Sequence, residues 1–149
     1  MQSVTQFIDV DVPVTTAYNQ WTQFEDFPHF MEGVEEVRQL TDTSTHWVTK
    51  VGGSEHEFDA EITEQHPNER VAWSSTTGPD HAGVVTFHRL SDVQTRVTVQ
   101  MDWEPENAKE KVGAALNFDD RRVQGDLERF KSFIESRGAE TGGWRGDVS

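Results

Sequence analysis

Between residues 34 and 103 the apolar side chains of this chain alternate with polar ones, and from about residue 108 to 136 the period changes to steps of three and four. Alternation puts successive side chains on opposite faces of an extended strand, whereas steps of three and four stack them along one side of a helix. The pattern therefore predicts a run of strands followed by one long amphipathic helix. Strand-like segments fall at 34–40, 46–51, 54–65 and 70–76, then around Gly83, Val85 and Phe87, and finally around Val97, Val99 and Met101. Polar or glycine-rich turns separate them at 41–44, 52–53, 67–69, 78–80 and 91–92. The alternation is clearest over 54–65, where His56, Phe58, Ala60 and Ile62 face one way and Glu55, Glu57, Asp59 and Glu61 the other. Seventeen Val and fifteen Thr against four Leu and three Ile fit strands, because β-branched side chains suit a pleated surface.

Ahead of this block, residues 3–12 read as a strand with Gln6, Ile8, Val10 and Val12 on one face, ended by Pro13. Val14, Ala17, Tyr18, Trp21 and Phe24 follow at helical spacing, with Thr15 or Thr16 as a cap. Residues 25–28 read as a second short helix whose buried side is Phe27, Phe30 and Met31. In the last helix the stripe runs through Val112, Leu116, Asp119, Val123, Leu127, Phe130 and Ile134, and Arg137-Gly138 ends it. The expected class is α+β. An antiparallel meander with the first strand added at an edge can bury its apolar face only against that stripe, so the sheet curls around the helix. Such a grip leaves space between sheet and helix, and the short helices close one end of it. Residues 138–149 read as a loose tail.

The charge restricts partners. A formal net charge of −14 and a pI near 4.7 repel phosphate backbones and anionic lipid, so nucleic acid and stable membrane insertion are not expected. A well-solvated surface accounts for the acids, and so does a high-salt cell. No cysteine is present, which removes thiol nucleophiles, disulfides and Cys-ligated zinc. No stretch has the length and apolarity of a membrane span, and the first residues lack the basic, apolar start of a secretory signal, so a cytoplasmic protein is expected.

Catalytic motifs are missing. The six histidines have no metal-ligand spacing, no serine sits in a nucleophile elbow, and Gly52-Gly53 leads into neither Lys-Ser nor a helix. Neither a metal nor a cofactor is expected. Two polar residues share apolar faces. His56 is placed to hydrogen-bond or protonate a ligand carbonyl, or else to lie half exposed at the rim. Asp119 lies on the inner stripe of the helix, where an unpaired carboxylate is costly; Arg121, Arg122 or a polar ligand group relieves that cost, or the helix turns it to solvent. His88 is a third titratable group. Trp47, Trp73 and Trp103 with Phe58 and Phe87 supply rings that stack on a flat ligand or simply fill a Leu-poor core. A one-residue slip in the third strand exchanges Trp47 for His46 on the inner face.

These residues also carry a resemblance. Val12-Pro13-Val14 leads into Trp21-Thr22-Gln23-Phe24-Glu25-Asp26-Phe27-Pro28. His46-Trp47, Pro67-Asn68-Glu69-Arg70-Val71-Ala72-Trp73, Gly83-Val84-Val85-Thr86-Phe87 and Asp126-Leu127-Glu128-Arg129-Phe130-Lys131 follow in order. In this the chain resembles the START-like superfamily, in its bacterial polyketide cyclase/dehydrase, lipid-transport and coenzyme Q-binding-like branch. The resemblance implies a helix-grip fold: a curved antiparallel seven-stranded sheet around the C-terminal helix, in one domain over residues 1–137. It implies binding of a hydrophobic small molecule (lipid, quinone or polyketide-like), with an aromatase/cyclase or dehydratase as the alternative. The residues expected around that ligand are Tyr18, Trp21, Trp47, His56, Phe58, Trp73, Phe87, Val99, Leu116, Asp119 and Val123, with His56 and Asp119 as candidate acid–base groups. A monomer or weak homodimer is expected.

Overall fold

Strands form where Val and Thr alternate with charged residues, and the chain turns at Pro67-Asn68-Glu69 as expected. A computed structural model of the chain describes residues 2–31, 33–51, 54–77, 81–103, 120–144, 146 and 148. Strand β1 (Gln2–Val10) is followed by helix α1 (Val14–Trp21) and a 3-10 helix (Phe24–His29). Then come β2 (Val34–Gln39), β3 (Ser44–Val51), β4 (Ser54–His66), β5 (Arg70–Ser75), β6 (His81–Ser91) and β7 (Gln94–Trp103), and last α2 (Asp120–Arg137). The seven strands make one antiparallel sheet in the order β1-β7-β6-β5-β4-β3-β2, so the first strand closes onto the last. The sheet is curled, and α2 lies in its concave side, with Val123, Leu127, Phe130 and Ile134 buried against Val10, Val85, Val97 and Val99. This is the helix-grip architecture, an α+β fold.

The two short helices differ from expectation in detail. Pro13 holds the N-cap position of α1, with no side-chain cap; Thr15 instead accepts a hydrogen bond from Asn68 Nδ2 at 3.3 Å. The next segment is a 3-10 helix because its phenylalanines, Phe24, Phe27 and Phe30, are spaced by three. Three residues per turn aligns them on one side, where an α-helix spreads them apart. Successive rings meet edge-on or tilted at 5.4 and 5.5 Å. Arg129 of α2 donates to the Phe30 carbonyl at 3.0 Å and fixes the end of this helix.

The outer edges of the sheet are covered. Lys131 donates to the Asp9 carbonyl at 3.0 Å, and the Asp11 N–H donates to Glu135 at 2.7 Å, so α2 is fastened along β1. At the other edge Glu25 accepts from the Gln39 N–H at 3.1 Å. A bulge between Ile62 and Glu64 shifts the phase of β4, which turns Gln65 inward to 1 % exposure.

The segment read from sequence as a loose tail is hydrogen-bonded to α1 and the 3-10 helix. Gly138 leaves α2 with φ of 72°, its N–H on the Ile134 carbonyl, as a helix end in the left-handed region requires. The chain then returns: Asn19 donates to Glu140, the Thr141 N–H to Gln20 Oε1 at 2.8 Å, and the Trp144 N–H to Thr22 Oγ1 at 2.9 Å. The Thr141 hydroxyl accepts from Gln20 and donates to Asp26, and Val148 exchanges backbone bonds with Gln65. The Thr141 hydroxyl thus links the fully buried Gln20 to Asp26, and its removal deletes both of these hydrogen bonds. Thr141→Val is therefore expected to lower stability by about 1–2 kcal/mol in a denaturant melt; an unchanged midpoint overturns this reading of the tail. The part of the long helix expected over 108–119, including Leu116 and Asp119, lies outside the described residues.

Candidate functional site

Between α2, the short helices and the concave face of the sheet lies a cavity of about 90 Å³. Its wall is mainly apolar. Trp21, Phe24 and Phe27 come from the short helices, Trp47 from β3, Phe58 and Ile62 from β4, and Val71 and Trp73 from β5. Val99 and Met101 of β7 and Val123 and Leu127 of α2 face them. The strand-borne rings form a panel: Trp47 and Phe58 are register partners with nearly parallel planes (9°) and centroids 5.8 Å apart. Trp47 also meets Phe27 at 5.6 Å, which joins the panel to the 3-10 helix.

Polar groups are few and mostly engaged. Thr45 and Thr49 flank Trp47 on the inner face of β3, and each hydroxyl donates to a carbonyl of β4, of Ala60 and His56 respectively. The Trp47 indole N–H donates to Thr45 Oγ1 at 2.9 Å, so this half-buried ring has its partner inside the wall. His81, 6 % exposed, opens β6 with its ring edge-on to Phe58 at 4.7 Å. Arg122 and Asp126, four apart on α2, line the cavity together, and Asp126 is hydrogen-bonded to Arg129. An imidazole, a guanidinium and a carboxylate thus share a wall with the rings. That combination can orient a carbonyl, hydroxyl or carboxylate on an otherwise greasy guest.

Of the residues expected at the site, Trp21, Trp47, Phe58, Trp73, Val99 and Val123 line this cavity. Tyr18 and Phe87 do not; they pack edge-on against each other at 5.4 Å in the adjoining core. Nor does His56, which is half-buried, its carbonyl accepting from Thr49. Leu116 and Asp119 fall outside the described residues. His81 was missed because the Gly78-Pro79-Asp80 turn signal in the sequence obscured the start of its strand; extending the inward alternation of Gly83, Val85 and Phe87 by one step reaches it. The slip that exchanges Trp47 for His46 does not occur: Trp47 faces inward.

His46 lies on the opposite face, its Nδ1 2.5 Å from Asp59 and its Nε2 2.9 Å from Glu57. The hydrogen bond to Asp59, then that to Glu57, raises the imidazole above its usual 6.5. The folded state thus holds the proton more tightly. The stabilisation is complete below pH 6.5 and is lost as pH rises through the folded value. His46→Gln is expected to cost about 0.5 kcal/mol of stability at pH 5, small because both carboxylates are partly exposed, and nothing at pH 9, read from melts at the two pH values. Equal losses at the two pH values overturn the assignment.

Among the described residues, no group of three His, Asp or Glu is placed to hold a metal ion, and no helix is long and apolar enough to cross a membrane.

Comparison with known proteins gives a consistent picture. The family model described as polyketide cyclase / dehydrase and lipid transport matches residues 10–131. An uncharacterised 17.2 kDa protein of Streptomyces lincolnensis, from the melC2-rnhH intergenic region, is 63% identical over 149 residues, covering 99% of both chains. Among solved structures, the Zhui aromatase/cyclase of a Streptomyces species superposes with a TM-score of 0.77 at 16% identity, covering 96% of this chain and 99% of that one. A START superfamily protein of Mycobacterium smegmatis gives 0.74 at 12% identity, covering 91% and 98%. At these identities the solved structures share the fold.

Proposed function

The chain belongs to the polyketide cyclase / dehydrase and lipid transport family, and from that premise we propose that it is a cytoplasmic carrier of a hydrophobic small molecule held between the sheet and α2. The observation that supports this best is the ring-lined cavity itself. A guest there is largely desolvated by the apolar wall, and apolar burial contributes ~25 cal/mol per Å². His81, Arg122 and Asp126 set its orientation. Native mass spectrometry of the purified protein tests the reading. The expected result is a released apolar mass, or a raised melting temperature with at least one of a panel of quinones, lipids and flat aromatics. Absence of both overturns it.

A second reading draws on the same polar groups. The fold is shared with an aromatase/cyclase, and an imidazole and a carboxylate lining one mainly apolar cavity are suited to general acid–base catalysis of a ring closure and water loss. His81 replaces His56 as its titratable group, because His81 lines the cavity and His56 does not. His81→Ala separates the readings: the carrier still binds its guest, less tightly by at most about tenfold, whereas the cyclase loses turnover of a poly-β-ketone.

A further inference from the structure

We propose that Trp73, seated on Gly83, is the specificity residue of this cavity, restricting it to planar guests of one or two rings and excluding long acyl chains. The proposal rests on the carrier reading and narrows it. Trp73 of β5 and Gly83 of β6 are register partners. A Cβ at Gly83 lies 2.4 Å from Trp73 Cζ2 and 2.5 Å from Cη2, so the indole occupies the room of the side chain that glycine lacks. The inward face of β6 reads His81, Gly83, Val85, Phe87, with a single gap, and the ring of the neighbouring strand lies over that gap.

The size limit follows. Packed onto backbone, the indole cannot retreat toward the sheet, and the whole cavity that it helps to line holds about 90 Å³. A buried apolar cavity of roughly 150 Å³ takes up benzene, so at about 90 Å³ the interior must yield even for a compact ring system and has far less room for a long chain. Met31 and Met101 are the parts of the wall with flexible thioether chains, able to yield to a compact planar guest. The acyl chain of a membrane lipid carries well over twice the carbon of benzene. Planarity is favoured by the panel: Trp47 and Trp73 both pack against the Phe58 and Ala60 pair, presenting rings from three adjacent strands.

The test is titration of the whole protein with 2-naphthol and with palmitate, read by tryptophan fluorescence and thermal melts. Wild type, Trp73→Leu and Gly83→Ala are compared. Wild type is expected to prefer 2-naphthol by about tenfold or more, and Trp73→Leu to gain about tenfold for palmitate. Gly83→Ala drives the indole forward and weakens 2-naphthol. If Trp73→Leu does not fold, Trp73→Phe carries the same expectation with a smaller gain. Palmitate bound by wild type as tightly as 2-naphthol, or a folded Trp73 variant with an unchanged ratio, overturns the proposal and leaves the carrier reading intact. Wild type binding neither 2-naphthol, palmitate nor any other guest overturns both.

Discussion

Trp21→Ala is expected to remove about 3–5 kcal/mol of stability, a large share of the roughly 5–15 kcal/mol that holds a domain of this size together. Trp21 is 3 % exposed and touches rings from four directions: Phe130 at 4.9 Å, Phe27 at 5.4 Å, Phe30 at 6.1 Å and Phe87 at 6.5 Å. It is the point where α1, the 3-10 helix, β6 and α2 meet. Deleting the indole merges the void it leaves with the cavity that it lines, so the surroundings have little to collapse onto. Urea unfolding measures the loss. Trp21→Phe, which keeps a ring in the junction, is expected to recover more than half of it. A loss below about 1 kcal/mol for Trp21→Ala is incompatible with this packing.

Val99→Phe is the second large effect, and it falls on binding rather than on folding. Val99 is 3 % exposed on β7, faces the cavity, and has Gln6 and Val85 as strand neighbours. The added ring has open space to enter, so overpacking costs only about 1–3 kcal/mol. It occupies the volume a guest needs, and affinity for 2-naphthol is expected to fall by about a hundredfold. Thermal-shift titration of the folded variant reads this directly. Retained affinity places the guest somewhere other than between the sheet and α2.

The fold was legible because two periods and the turn residues between them leave few alternatives. Alternation at Phe58, Ala60 and Ile62 and the stripe at Val123, Leu127, Phe130 and Ile134 are each explained by one buried face, and the two faces have only each other to cover. The site was legible in part. Trp47, Phe58, Trp73 and Val99 could be placed because a strand's inward residues follow from its phase. His56 has the same phase as Phe58, but phase says nothing about position along the strand, and it sits beyond the reach of the cavity. Tyr18 and Phe87 show the same limit: burial was readable, and the partition of a core into packed and hollow parts was not. Gln65 was hidden by a bulge, which periodicity cannot anticipate. The last residues were misread because glycines and polar side chains look alike whether they trail in water or hydrogen-bond a helix; the partners, Asn19, Gln20 and Thr22, are about 120 positions away in the chain.

β4 runs on past the end of β3, which leaves the backbone at Gln65 without a strand beside it on that side. Val148 fills the vacancy with a single antiparallel bridge. Open strand margins invite foreign chains to add themselves, a common route to runaway association. The returning C-terminal segment therefore acts as a stopper against such growth, and a bulky fusion appended there is expected to promote aggregation more than one placed elsewhere on the surface.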